Sequence, residues 1–275
     1  MDPQFVEREY NNRALVPEHA AFFARWEKDS AFVRSTLAGA RIDVAYGDDP
    51  RQRVDFFPAP NARGLLVFIH GGYWRSLDKS MFSWIASSWT AAGIGVALPN
   101  YRLAPAVGIE AIVGDAIAAV NFIARKGPAY GVPADRIVVS GHSAGGHLAA
   151  ALLATAPSRL QFDAARIVGA VPISGVFDFA PLLQFSFNAD FKLTPESARA
   201  LDLYDKRPAI PAPLVIAAGA NESSEFRRQS TLLAERWKPQ VKALQILPGL
   251  NHFSIVDAFA ERGQPLYEAA LGLFA

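Results

Sequence analysis

The 275-residue chain has no cysteine, which excludes disulfides, thiol catalysis and cysteine-based metal sites and favours a bacterial or cytosolic setting. It has almost no excess charge: 27 basic residues stand against 26 acidic ones, so no whole-molecule field draws it to nucleic acid or to an anionic membrane. No run reaches the roughly 18 uninterrupted apolar residues of a membrane span, because Lys79, Asp115 and Asn121 break the longest Ala-rich stretches. The opening Met1-Asp2-Pro3-Gln4-Phe5-Val6-Glu7-Arg8-Glu9 lacks the basic start and continuous apolar core of a signal peptide. There is no internal repeat and no low-complexity tract. The expectation is a soluble, cytoplasmic protein whose partner is a small, fairly apolar molecule, with neither nucleic acid nor membrane involved. Histidine is also scarce, limited to His19, His70, His142, His147 and His252, so any imidazole chemistry has few candidates.

What remains is 51% hydrophobic and of a length that suits a single α/β domain spanning 1–275 with a lid. Stretches 41–46 and 53–57, separated by Gly47-Asp48-Asp49-Pro50, alternate as an antiparallel pair at a sheet edge. Apolar runs at 65–70, 94–99, 137–139, 167–173, 214–218 and 241–247 read as strands. Between and after them, 79–92, 109–123, 144–154, 225–237 and 254–273 read as helices. This alternation implies parallel βαβ units with right-handed crossovers, hence about eight mostly parallel strands flanked by helices, the second of them antiparallel.

Two segments stand outside that pattern. In 1–38, Phe22, Phe23, Trp26, Phe32, Val33 and Leu37 recur at three- and four-residue spacing, which suggests two short amphipathic helices that either cover the domain body or form part of a lid. In 175–210, after the sixth strand, Phe177, Phe179, Leu182, Leu183, Phe185 and Phe187 crowd together; an insertion this hydrophobic reads as a cap rather than as disorder.

The chain is organised around Ile137-Val138-Val139-Ser140-Gly141-His142-Ser143-Ala144-Gly145-Gly146-His147, a β-branched strand running into an Ala-rich helix. Between them lies Gly141-x-Ser143-x-Gly145. Such a triplet arises by chance in about one chain in ten of this length, so the weight falls on its context. A strand–turn–helix this tight leaves no room for Cβ atoms on either side of the serine, and holds Ser143 Oγ out above the sheet edge. The free N–H of Ala144, at the helix start, points at any oxyanion formed when Oγ attacks a carbonyl.

A nucleophilic serine needs a base. His142 and His147 flank Ser143 too closely to approach its hydroxyl from above, and His19 lies in the N-terminal helices. His252 remains, in the Gly-containing loop Pro248-Gly249-Leu250-Asn251-His252-Phe253 after the last strand. The orienting acid belongs in the loop after the strand at 214–218. There Glu222 is favoured over Glu225, which enters the next helix as an ordinary first-turn acid, with Asp178 as an outside candidate. His70-Gly71-Gly72-Tyr73-Trp74, just after a buried strand, supplies a turn whose Gly72 and Tyr73 N–H groups would join that of Ala144 in an oxyanion hole, with His70 bracing the loop. Tyr73, Trp74, Phe177 and Phe179 are candidates to stack against a substrate, Trp74 divided between packing and lining the pocket. No metal or organic cofactor is needed for this chemistry.

With these residues in place the chain resembles the α/β-hydrolase superfamily, in the branch related to hormone-sensitive lipase, and within it the kynurenine formamidase (arylformamidase) group. Three motifs carry the resemblance: His70-Gly71-Gly72-Tyr73-Trp74, Gly141-His142-Ser143-Ala144-Gly145-Gly146-His147, and Asn221-Glu222-Ser223-Ser224-Glu225-Phe226-Arg227-Arg228-Gln229-Ser230. Tyr10-Asn11-Asn12-Arg13 and Asn100-Tyr101-Arg102-Leu103-Ala104-Pro105 extend it over nearly the whole chain. The resemblance implies Ser143 as nucleophile, Glu222 as acid, His252 as base and 70–74 as the oxyanion motif. It also implies N-formylkynurenine or related aryl formamides as substrates, with simple aryl esters often cleaved too. One departure is that the animal enzymes carry Asp where this chain has Glu222. The amino-acid end of such a substrate would need polar partners, for which Arg75, Asn188 and Lys192 are candidates.

Two other readings stand beside an arylformamidase. A carboxylesterase, or an amide or carbamate hydrolase of a catabolic pathway, would use the same residues. A catalytically inactive ligand receptor on the same fold would have lost Ser143 or His252, and neither is lost. The lid's aromatics would also serve a homodimer.

Overall fold

The segment Leu65–Ile69 is apolar at all five positions and buried at all five, which requires cover on both faces of the strand. The computed structural model, which describes residues 1–275, provides that cover. Eight strands form one sheet: β1 (Arg41–Ala45), β2 (Arg53–Phe57), β3 (Leu65–Ile69), β4 (Gly95–Pro99), β5 (Ile137–His142), β6 (Ile167–Ile173), β7 (Leu214–Gly219) and β8 (Val241–Leu247). Their spatial order is β1-β2-β4-β3-β5-β6-β7-β8. β2 runs antiparallel to both its neighbours, and every pairing from β4 to β8 is parallel, as the sequence pattern implies. Burial grades from the centre outward: β3, β4 and β5 are buried throughout, while β1 and β8 at the edges alternate.

The helices are α1 (Pro3–Tyr10), α2 (Asn12–Leu15), α3 (His19–Thr36), α4 (Ala86–Ala91), α5 (Ile109–Lys126), α6 (Ala144–Ala154), α7 (Asn188–Phe191), α8 (Pro195–Leu201), α9 (Ser224–Arg236), α10 (Ile255–Ala260) and α11 (Pro265–Leu271). The period-two alternation of the strands splits the core into two clusters. Leu65, Val67, Ile69, Ile137 and Val139 pack with α5, α6, α9 and the cap on one face, and Leu66, Phe68 and Val138 pack with α3, α4, α10 and α11 on the other. No helix is long and apolar enough to cross a membrane.

Three expectations change in detail. The helix expected over 79–92 begins as a 3₁₀ segment, Lys79–Ile85, before α4, because Ser and Trp residues there favour the helix weakly and Asp78 caps a tight first turn through Ser80 N–H at 2.9 Å. The helix expected over 254–273 breaks into α10 and α11, where Gly263 takes a φ of +86° and Pro265 has no N–H to continue the ladder. At the N-terminus the chain turns at Asn11, whose side chain accepts the Ala14 N–H at 3.2 Å, and α3 extends over 18 residues. In the 175–210 segment, the cap aromatics Phe177, Phe179, Phe185 and Phe191 are turned inward and buried; Phe32 on α3 is the exposed ring, at 67%.

A buried ionic cluster ties α3 to the antiparallel edge of the sheet. Lys79, 2% exposed, places its ammonium 2.5 Å from Asp43 and 2.7 Å from Asp55. Asp55 also accepts the Asp43 N–H at 2.8 Å and pairs with Arg34. Removing Asp55 would take away the buried carboxylate and leave Lys79 with Asp43 alone, whose side chain is largely exposed. Asp55→Ala is therefore expected to cost about 3–5 kcal/mol of folding stability, read as a lowered urea midpoint.

Candidate active site

Loops at the carboxyl ends of β3, β5 and β8, together with the cap and the N-terminal helices, line one cavity of about 310 Å³. The first follows β5. Ser143 takes φ +57° and ψ −119°, a conformation that a non-glycine residue holds only when its surroundings force it. They do so through close backbone approach. A Cβ on Gly141 would lie 2.2 Å from the Gly145 carbonyl oxygen, one on Gly145 only 1.9 Å from that of Ile69, and one on Gly146 2.7 Å from that of Ile173. Ser143 N–H donates to Ile173 at 2.8 Å, fixing the turn to β6. Ser143 and His252 both line the cavity and are nearly buried, 3% and 4% exposed.

The candidate acid and base, Glu222 and His252, come from the loops after β7 and β8, which are stitched together. Asn221 N–H donates to Leu250 at 3.0 Å and Ala220 N–H to Leu247 at 2.8 Å, and a Cβ on Gly219 would meet the Leu250 oxygen at 2.2 Å. Glu222 Oε2 lies 2.7 Å from His252 Nδ1. Its other oxygen accepts Ser174 O–H at 2.5 Å and Gly219 N–H at 2.6 Å, so the whole carboxylate is committed. The alternatives are employed elsewhere: Glu225 accepts Tyr10 O–H and Arg228, and Asp178 pairs with Arg228. Of the acids weighed, Glu222 is the one within hydrogen-bond distance of His252.

His142 contributes in a way the sequence did not suggest. Its Nε2 lies 2.7 Å from the carbonyl oxygen of His252, which can only accept, so Nε2 carries the proton and its ring steadies the backbone of the base. Ser174, directly after β6 at φ +49°, is the second partner that sequence reasoning missed. No spacing signal marks either one.

The loop after β3 completes the site. Gly72 sits at φ +111° and a Cβ there would lie 2.2 Å from the Ser76 carbonyl oxygen, so the turn demands glycine. Gly72 and Tyr73 line the cavity, and their N–H groups have no acceptor within the fold; Ala144 N–H, at the start of α6, likewise has no intrahelical partner. His70 braces this loop: its Nδ1–H donates to Gly71 at 2.7 Å and its ring stacks on Tyr101 at 4.4 Å. Tyr73 turns its hydroxyl away from the cavity to donate to the Tyr10 carbonyl at 2.5 Å.

The pocket wall departs from the sequence expectation. Trp74, Phe177 and Phe179 are fully buried and do not line the cavity; Trp74 packs against His147, Phe179 and Phe191, behind the oxyanion loop. The tight turn at Tyr73 and Trp74, with φ of +51° and +53°, sends the indole into the core instead. The aromatic wall comes from Tyr73, Phe187 and Phe253 together with Phe23 and Trp26 of α3, so the N-terminal segment does cover the site. Of the candidate polar partners, Arg75 lines the cavity, whereas Asn188 bonds the local carbonyls of Leu183 and Leu193, and Lys192 lies outside it.

Burial keeps three imidazoles neutral. It lowers His70 to about 4 and His147 to about 3, and holds His142 well below the usual histidine range, with the neighbouring His252 adding to the effect. Because the unfolded chain would bind these protons near pH 6.5, their contribution is fully present above that pH and is lost as pH falls toward 4. His70 alone accounts for on the order of 3 kcal/mol. Urea midpoints are therefore expected to fall steeply between pH 6.5 and 4, and His70→Asn or His147→Asn should flatten that slope.

Comparisons with known proteins agree with this architecture. The BD-FAE family matches residues 57–205. A kynurenine formamidase of Salmo salar is 28% identical over 274 residues, covering 95% of this chain and 91% of its own, and one of Drosophila melanogaster is 26% identical over 94% and 88%. A solved Silicibacter protein, described as a candidate thioesterase, superposes with a TM-score of 0.87 at 32% identity over 97% of this chain and 98% of that one. Esterase B of Lactobacillus rhamnosis shares the fold, with a TM-score of 0.68 at 17% identity. The chain belongs to the BD-FAE family and is a hydrolase of the α/β-hydrolase type.

Proposed function

We propose that this hydrolase releases formate from N-formylated aromatic amines, N-formylkynurenine or a close relative, by an acyl-enzyme route in the cytoplasm. The observation that carries the reading is that His252, paired with Glu222 at 2.7 Å, lines the same aromatic-walled cavity as Ser143. Glu222 accepts the Nδ1–H of His252, which leaves Nε2 free to take the Ser143 proton as Oγ bonds to the formyl carbon. The N–H groups of Gly72, Tyr73 and Ala144 hold the oxyanion, worth several kcal/mol per well-placed donor in such sites. His252 then protonates the departing arylamine as the C–N bond breaks. Water, deprotonated by the same imidazole, attacks the formyl ester; formate leaves and the proton returns to Ser143.

The kynurenine formamidases among its relatives support the substrate class, and Tyr73, Phe187 and Phe253 provide faces for an aryl leaving group. The test is a rate comparison of N-formylkynurenine with 4-nitrophenyl formate, acetate and butyrate. The proposal expects kcat/KM for the formamide to match or exceed the esters and to fall by about 10³-fold or more in Ser143→Ala. Turnover of esters alone would make the protein a carboxylesterase instead.

A further inference from the structure

Tyr10, the last residue of α1, is fully buried yet does not line the cavity. Its carbonyl is among those that a helix end leaves without an intrahelical partner, and it accepts the Tyr73 O–H at 2.5 Å. Its hydroxyl donates to Glu225, in the first turn of α9, at 2.8 Å and accepts from Gln229 Nε2 at 2.8 Å. The side-chain oxygen of Gln229 accepts the N–H groups of Phe177 and Asp178, both at 2.8 Å, in the stretch that follows Ser174. The Tyr10 ring packs at 5.7 Å on Phe226, which stands edge-on to the His252 imidazole at 4.6 Å. One residue of the N-terminal helix thus touches the supports of the oxyanion loop, of the acid and of the base.

What Tyr10 holds is a strained turn. Tyr73 and Trp74 are consecutive non-glycine residues at φ +51° and +53°, a conformation that persists only where the surroundings enforce it. Trp74 is held by packing against Phe179 and Phe191 and by the Ala104 N–H, which donates to its carbonyl at 2.8 Å. The Tyr73 ring meets Phe185 at 5.3 Å and Phe187 at 5.5 Å, and its directional anchor is the Tyr10 carbonyl. We propose that Tyr10 and the Tyr73 hydroxyl are positioning groups for the oxyanion hole. The network around Tyr10 fixes its carbonyl, the carbonyl fixes Tyr73, and Tyr73 so held aims its own N–H at the developing oxyanion. The inference rests on the proposed use of that N–H in catalysis and deepens it, giving α1 a part in the chemistry beyond covering the site. Neither tyrosine moves a proton. Burial pushes both hydroxyls well above the ordinary phenol range, so each remains a donor at neutral pH.

The test uses the intact protein and does not depend on formamide turnover. Hydrolysis of 4-nitrophenyl acetate is measured with kcat expressed per active site, titrated to completion with a 4-nitrophenyl alkylphosphonate, so that unfolded protein does not count. Tyr73→Phe removes the hydroxyl and keeps the ring. Because an oxyanion donor acts in the transition state, kcat per site should fall by about tenfold or more while KM stays within about twofold. Tyr10→Phe loosens the support of the carbonyl without removing it and should lower kcat by about threefold, and the double variant should lose less than the product of the two, because both act through one bond. Wild-type kcat per site in Tyr73→Phe would overturn the inference, whatever happens to its melting temperature, since a lowered Tm alone is what a purely structural role gives. A raised KM with kcat unchanged would do the same, and so would losses that simply multiply in the double variant. If kcat falls as expected while no formamide is cleaved by the wild type, the positioning role stands and the formamidase proposal falls.

Discussion

The structure depends on how closely the backbone passes itself at residues 141–146. Strand β5 must turn straight into α6 while lying between β3 and β6, and the 1.9 Å that would separate a Gly145 Cβ from the Ile69 oxygen shows how little space is left. That crowding holds Ser143 at a positive φ and puts the first free N–H of α6 beside its hydroxyl. The same constraint places the other participants. β3 ends beside the elbow and delivers the Gly72 turn, and β6 accepts the Ser143 N–H and then supplies Ser174.

The longer acid at 222 is accommodated by its anchoring. Glu222 reaches His252 because Gly219 N–H and Ser174 O–H hold its second oxygen, and because the loops after β7 and β8 are pinned to each other. A carboxylate with every oxygen committed has a single orientation, and so does the imidazole it faces. His142 adds a hold from the opposite side through the His252 carbonyl. The base is thus positioned from its ring and from its backbone by two neutral or satisfied groups that bring no competing charge into the cavity.

Sequence reasoning reached the sheet, its single antiparallel strand at position two and the placement of Ser143, Glu222 and His252 because those features have local causes: period-two burial, glycine where a Cβ cannot fit, and loop position after a strand. It missed what depends on the direction a side chain takes after a distorted turn. Trp74 follows the oxyanion glycines and looks like a pocket residue, yet two consecutive positive φ angles bury it against His147 and Phe179. Phe187 and Phe253 reach the cavity only through tertiary folding of the cap and of the His252 loop. Asn12 and Arg13 were visible as a motif without a role, since nothing in α2 indicates that it folds over a cavity built 60 to 240 residues later. Ser174 and His142 act through single hydrogen bonds across strands, which no spacing records.

The central claim is that Ser143 is the nucleophile activated within this arrangement. Incubation of the purified protein with a 4-nitrophenyl alkylphosphonate, followed by intact-mass and peptide mass spectrometry, tests it most directly. The account predicts one phosphonyl group per chain, on the peptide carrying Ser143, formed together with loss of hydrolytic activity. Complete inactivation with the label on another residue, or an active enzyme that takes up no label under conditions that modify other serine hydrolases, would contradict it.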